Sequence, residues 1–573
     1  MSFLVGLTAI LAMQPAPDVP RVQDPLAPLE EPTEAPPPKA EQPSAPPVQQ
    51  PVVVPKDWTG VFAAIRSGQW ASASAGIAAL PTSPLTATAR AQLYLAKGSP
   101  RVAADALIDL LLEAPELPQA ERIQRLAESR GADETPRAAR RALLVPIGSS
   151  PRRGRARPVT GEPEADKLRG ELDPLVKADD ALGAEALLMS RAPLLSPEAQ
   201  AEAGQRVAWI YYVTGQDAEA RRVADTWRAG AAGDWGQQSA WVSGLASWRL
   251  NDCEAASRAF REVGTTAREP SFAAAGYYWA ARSEMACRRP AGVEALLRAA
   301  ARSNETFYGL IARRTLGMDT RLAPLTASAS LSVERLPNVQ RAAELVRIGE
   351  RDLAGEHLRH QARLGSPADH SALVAVAKRL ELPATQHFLA HFGQPGSQVP
   401  PAARYPRPSW APRDGWRIDP ALAFAHALQE SSFRSEAVSQ AGAVGLMQVL
   451  PSTRDLIVRS RGVPNGDLRD PATNMTFGQA WIEWMKGHGA TQGHLPKVVA
   501  SYNAGPLPVG RWVVNDRGDP LLWIESMPYW ETRFYVPAVL RNMWVYQGFD
   551  NAPTPTLTSM AQHKWPVFPA ARR

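Results

Sequence analysis

Glu430 stands where a carboxyl group could act as a general acid. Asp419 followed by Pro420 starts a helix, because the carboxylate can cap free N–H groups and Pro tolerates the first helical position. The spacing predicts a helix running to about Phe433, with Leu422, Ala425 and Leu428 as its apolar stripe and Phe424 at the margin. Glu430 falls in the last turn, beside that stripe. The negative C-terminal end of the helix dipole and the apolar surface both disfavour the carboxylate, so its pKa should rise. A raised carboxyl pKa is what proton donation near neutrality requires. The plainer reading of this stretch alone is a solvated carboxylate closing a surface helix.

The residues that follow change the balance. Ser439 is followed by Gly442, Gly445, Leu446, Met447 and Gln448, a glycine-punctuated loop that lets backbone approach a ligand closely, and Pro451-Ser452-Thr453 restarts a helix. Further on come Ala500-Ser501-Tyr502-Asn503-Ala504-Gly505-Pro506 and Glu531-Thr532-Arg533-Phe534-Tyr535-Val536. With Glu430-Ser431 and Gly445-Leu446-Met447-Gln448, these four motifs resemble, in order and spacing, the soluble lytic murein transglycosylases, which share a goose-type lysozyme-like catalytic domain. The resemblance is specific over about residues 415 to 548.

What the resemblance implies is an enzyme, a lyase with a single catalytic carboxylate acting on peptidoglycan. Glu430 would protonate the glycosidic oxygen of the β-1,4 bond between N-acetylmuramic acid and N-acetylglucosamine, and the substrate's acetamido group would stabilise the developing cation. Ionised Glu430 would then take the proton of the muramyl C6 hydroxyl as it attacks C1, giving a 1,6-anhydromuramyl end without water, metal or cofactor. By position, Ser439 would hydrogen-bond the acetamido carbonyl, and Gln448 and Asn503 would place sugars. Tyr502 and Tyr535 would sit near Glu430, with Glu531 ordering the site behind them. Two alternatives stay open: a muramidase in which water is the nucleophile, and a non-enzymatic envelope scaffold carrying an inactive lysozyme-like domain. A two-carboxylate glycosidase needs a second Asp or Glu across the sugar. Glu436 is too local to judge, and Asp455 and Asp470 read as helix starts. His426, one helical turn before Glu430 and within reach of it, reads as a packing or partly exposed histidine, with a role in tuning Glu430 the alternative. The nine histidines form no metal-ligand pattern.

The elements that must position this site are helical throughout. Trp58, Val61, Phe62 and Ile65 follow helical spacing and Gly68 stops them. Helix pairs recur at Leu93 and Leu95 with Leu107, Leu110 and Leu111, at Trp209 to Ala224, and at Trp241 to Phe260. Aromatics on the first helix and alanines on the second are how tetratricopeptide-like pairs interlock, with a period of about 34 residues. The segment from Thr306 to Ala312 also resembles one in the long soluble transglycosylases. The fold class expected is therefore mainly α: a superhelix of degenerate helix pairs over 57–392, then the lysozyme-like domain over 415–550. Pro-rich stretches at 17–56 and 393–414 read as linkers and 551–573 as an extended tail.

Residues 1–16, with the apolar run from Phe3 to Ala12, read as a signal segment lacking a positive n-region, which places the protein in the periplasm. No apolar run is long enough to span a membrane. The net charge of +6 is spread as a mildly basic surface, which gives no reason to expect nucleic acid. Arg152, Arg153, Arg155 and Arg157 lack interleaved aromatics and read as a solvated loop. Glycan strands are the partner implied, with the superhelix free to dock cell-envelope proteins. Cys253 and Cys287 lie one repeat apart, close enough to pair or to remain two buried thiols.

Overall fold

The computed structural model describes residues 52–148, 153–323, 325 and 330–569. The expected signal segment and nearly all of the first Pro-rich stretch lie outside these residues. Among the described residues the chain forms 27 α-helices and one pair of two-residue strands. The first helix, Trp58–Arg66, is capped by Asp57, whose carboxylate accepts from Gly60 N at 2.7 Å, and ends before Gly68 at φ 72°.

The repeat logic holds at the level of side chains. Pro197–Val213 pairs with Asp217–Trp227 across Gly215, and Asp234–Arg249 with Cys253–Thr266. Trp241 meets Phe260 at 5.0 Å and Trp279 at 6.3 Å, edge to face, so aromatics of one pair reach into the next. Gly244 permits this closeness, since a Cβ there would lie 2.6 Å from the Phe260 ring. Cys253, opening one helix, and Cys287, closing Pro270–Ala286, are joined as a disulfide with Cα atoms 5.5 Å apart. Crosslinking residues 34 positions apart constrains the unfolded chain, so reduction should cost about 4 kcal/mol. Thermal melts with and without reductant, checked against a Cys253→Ser/Cys287→Ser variant, measure it.

The two ends of the helical array share one core. Val61, Phe62 and Leu85 are buried with Leu345, Leu358, Leu373 and Leu389, and Val145–Pro146 pairs antiparallel with Phe392–Gly393. The segment expected to link the domains is ordered and packed. Arg404 donates to both Glu305 oxygens at 2.7 Å, and Tyr546 donates to the Pro406 carbonyl at 2.9 Å.

Three expectations need correction. The arginine run is only partly a solvated loop: Arg155 and Arg157 are exposed as expected, but the Arg153 guanidinium lies 4.6 Å from the Trp241 ring and 4.4 Å from Phe272, and bonds Glu525 at 2.8 Å. The aromatics that receive it are distant in sequence, so no local pattern announces them. The tail is not extended. Pro555–Ala561 is a helix with Leu557 and Met560 fully buried, Trp544 Nε1 donates to Thr556 Oγ1 at 2.9 Å, and Leu495 N donates to Pro566 O at 2.9 Å. Asp455 lies inside the Pro451–Arg461 helix rather than at its start, whereas Asp470 does cap Pro471–Gly487, accepting from Thr473 N at 2.8 Å.

The superhelix grips the C-terminal helices through polar groups on a shared apolar seam. Tyr308 donates to Glu525 at 2.8 Å, Arg282 bonds Asp519 at 2.6 Å, and Phe307 stacks on Trp544 at 5.3 Å. Phe307 and Tyr308 belong to the Thr306 to Ala312 segment. That segment is therefore part of the joint that fixes the catalytic half against the array.

Candidate active site

Glu430 lies on the helix Pro420–Ser431, started by Asp419, whose Oδ1 accepts from Ala421 N at 3.0 Å. The helix ends one residue after Glu430, because Ser432 and Phe433 adopt left-handed backbone at φ 52° and 64°. Burial of the Phe433 ring holds that strained turn. The helix differs from the amphipathic element expected: every residue from Ala421 to Leu428 is buried, so it runs through the core instead of over the surface. Past Leu428, Gln429 and Glu430 are half-buried and Ser431 is buried again.

Desolvation pushes the Glu430 carboxyl up to about 7, the negative charge of Glu531 adds to this, and a hydrogen bond from Tyr535 opposes it. Tyr535 donates to Glu430 Oε1 at 2.5 Å from the helix Trp530–Phe549. Its own hydroxyl is held well above its usual range, first by burial and then by the Glu430 charge.

The other expected residues make their hydrogen bonds to the loop and to neighbouring helices rather than to Glu430. Ser439 opens a tight hairpin in which its N donates to Ala443 O at 2.9 Å and its Oγ accepts from Ala443 N at 3.0 Å, leaving the hydroxyl proton to give elsewhere. Gln448, at φ 49°, uses its amide nitrogen on the loop itself, donating to Gly445 O at 2.9 Å and Ala437 O at 3.2 Å. Tyr502, on Leu495–Ala504, donates to Met447 O at 2.7 Å. Asn503 donates to Glu531 Oε1 at 3.1 Å and accepts from Thr532 Oγ1 at 2.6 Å, tying that helix to the one bearing Tyr535.

Residues outside the set of expected site residues hold this arrangement. Ser431 Oγ donates to Leu446 O at 2.8 Å, fastening the loop to the Glu430 helix. Asn474 accepts from Met447 N at 2.8 Å and donates to Leu468 O at 2.7 Å and Val444 O at 2.8 Å. His426, expected to be packing or partly exposed, is fully buried and places Nδ1 2.7 Å from the Tyr535 hydroxyl. Its place one turn before the acid was the available signal. A cavity of about 1820 Å³ has Ser432 to Ala437 and Arg469 to Ala472 on its wall, facing residues of the superhelix such as Arg359 and His391. Glu430 does not line it, so the site is defined by the hydrogen bonds and not by that cavity. Among the described residues no group of three His, Cys, Asp or Glu could hold a metal ion.

A superhelix of helix pairs leading into a lysozyme-like helical domain with one desolvated carboxyl defines the structural class. Residues 410–520 match the family model described as the transglycosylase SLT domain. The chain is 34% identical over 154 residues to the soluble lytic murein transglycosylase of Escherichia coli (strain K12), an alignment covering 26% of this chain and 23% of that protein. It is 35% identical over 150 residues to the putative soluble lytic murein transglycosylase of Haemophilus influenzae, 25% of each. The alignments thus span about a quarter of the curated relatives. Over the whole fold, the lytic transglycosylase Slt of Pseudomonas aeruginosa superposes with a TM-score of 0.54 at 19% identity, covering 86% of both chains. The 70 kDa soluble lytic transglycosylase of Escherichia coli gives 0.53 at 16%, covering 89% of this chain and 98% of that one. The resemblance drawn from the motifs and the mainly helical fold class both hold.

Proposed function

We propose that the protein is a lytic transglycosylase that cleaves the bond between N-acetylmuramic acid and N-acetylglucosamine in peptidoglycan to leave 1,6-anhydromuramyl ends. The observation that carries this is Glu430, a carboxyl held near neutrality by desolvation and bonded by Tyr535. A group titrating near 7 can give a proton and take one back in the same cycle. Protonated Glu430 donates to the glycosidic oxygen as its bond to C1 breaks. The acetamido carbonyl, oriented by the Ser439 hydroxyl, shields the cationic C1, and the glucosaminyl alcohol leaves. Ionised Glu430 then accepts the C6 hydroxyl proton as that oxygen bonds C1, which restores the acid. Gln448, Tyr502, Asn503 and Glu531 keep the loop and helices in register around the cleaved bond.

Export to the periplasm fits the Cys253–Cys287 disulfide, since such bonds persist in oxidising compartments. No helix among the described residues is long and apolar enough to cross a membrane. Glycan strands are the substrate proposed, and the superhelix the surface for envelope protein partners.

Mass spectrometry of products from purified sacculi tests the chemistry. Anhydromuramyl ends are expected, and reducing muramyl ends would instead establish a hydrolase. The pH profile follows from the carboxyl. Glu430 must start protonated, so kcat/KM on soluble glycan strands should be level on the acid side of about 7 and fall tenfold per pH unit well above it. A descending limb near 4.5 would contradict the desolvated acid.

A further inference from the structure

His426 is a buried titratable group that the reaction above leaves unused. Its Nδ1 lies 2.7 Å from the Tyr535 hydroxyl, and that hydroxyl lies 2.5 Å from Glu430 Oε1. A hydroxyl carries one proton, so Tyr535 cannot donate in both contacts. Two arrangements satisfy the pair. With the imidazole proton on Nδ1, His426 donates to the Tyr535 oxygen and Tyr535 donates to Glu430. With it on Nε2, Nδ1 accepts from Tyr535, and the contact with Glu430 has to be donated by the protonated acid.

Nε2 decides between them. It is buried and meets no hydrogen-bond partner among the described residues. A proton there would be an unsatisfied buried donor, and orphaned buried N–H groups are rarer than under-satisfied acceptors. Burial also drives the imidazole down to about 3, so the ring stays neutral and carries a single N–H.

We infer that His426 is a positioning residue whose Nδ1–H fixes Tyr535 as a donor to Glu430 and so sets the pH range in which Glu430 exchanges its proton. The inference rests on the role proposed for Glu430. The other groups around the carboxyl do not supply this. Tyr502, from its own helix, has its ring 4.4 Å from His426 but spends its hydroxyl on Met447 O. Glu531, from the Tyr535 helix, acts in the opposite sense by raising Glu430. The Tyr535 bond is the contact that favours the carboxylate, and a donor on the tyrosine oxygen polarises that hydroxyl into a stronger one.

Side-chain 15N spectra of histidine-labelled full-length protein, with the His426 signal found by its loss in His426→Asn, read the tautomer directly. The Nδ1–H form is expected, and the Nε2–H form or an imidazolium would overturn the inference. In His426→Leu the descending limb of kcat/KM should move up by roughly half to one pH unit, with KM little changed. His426→Asn, whose amide can donate from near the Nδ1 position, should return the limb toward wild type. A leucine profile superimposable on wild type would also overturn it. Should wild type yield no glycan product, the proposed activity fails, and the tautomer together with the 13C titration of the Glu430 carboxyl in wild type and His426→Leu still decides the inference. Circular dichroism confirms that both variants are folded.

Discussion

Glu430→Gln should lower turnover of peptidoglycan by about a thousandfold or more, because one group supplies the proton to the leaving oxygen and removes the proton from the attacking one. Gln keeps the shape and can still meet the Tyr535 hydroxyl, so the loss would report proton transfer and not collapse of the site. Anhydromuramyl product from wild type and none above background from the variant is the expected pair of spectra. Product from the variant within tenfold of wild type would remove Glu430 from the mechanism.

The same substitution should change stability with the opposite sense. The folded-state pKa of Glu430 lies above the value near 4.3 expected in the unfolded chain, so the unfolded state loses this proton first. The resulting penalty is absent below about pH 4 and fully present above about 7. The Gln variant should therefore melt higher than wild type at pH 8, and the difference should vanish toward pH 4. An acid that is poised for catalysis weakens the fold at the pH where it works.

Gly445→Ala should destabilise the catalytic half by about 4 kcal/mol or more, combining left-handed backbone, overpacking and a lost buried hydrogen bond. Gly445 sits at φ 79°, and a Cβ there would come 2.2 Å from Leu468 O and 2.3 Å from Asn474 Nδ2. Asn474 anchors the loop through Met447 N, so displacing it releases the segment carrying Gln448 and the Tyr502 contact. Gly442→Ala is the control. Gly442 shares the conformation at φ 80° but a Cβ there meets nothing within 4 Å, so its cost should be only the backbone term of about 1–2 kcal/mol. Melting curves of the two variants separate strain from crowding. Equal losses would mean that the loop is not held by the contact at Asn474.

What could be read in the residues was whatever depends on neighbours in the chain. Asp419-Pro420 starts a helix by capping chemistry, and Asp470-Pro471 does so again, each visible over a few residues. The helix pairs around Gly215 and Asn251 were legible because periodicity and turn residues are local too. The placing of Glu430 in a last turn beside apolar residues followed from spacing alone. The four motifs named the set of side chains around it.

Tertiary structure decided everything that depends on which distant group arrives. The Glu430 helix looked amphipathic, yet all of its faces from Ala421 to Leu428 are covered, because helices far along the chain close over the side expected to meet water. The Arg153 guanidinium is largely covered because Trp241, Phe272 and Glu525 converge on it, and the C-terminal tail is packed because Trp544 and Leu495 receive it. Gln448, Tyr502 and Asn503 were expected at the site, and their hydrogen bonds in this structure go to the loop and the neighbouring helix, an arrangement that identity and spacing do not encode. His426 makes the point most directly. Its type and its place one turn before Glu430 were plain, but its meaning depends on Tyr535, more than a hundred positions away, setting a hydroxyl between the two. Sequence by itself pointed to the chemistry proposed here and to the residue proposed to carry it, since propensity, capping and motif are local. Desolvation, hydrogen-bond direction and proton affinity are sums over all surrounding atoms, and only the folded chain brings those atoms together.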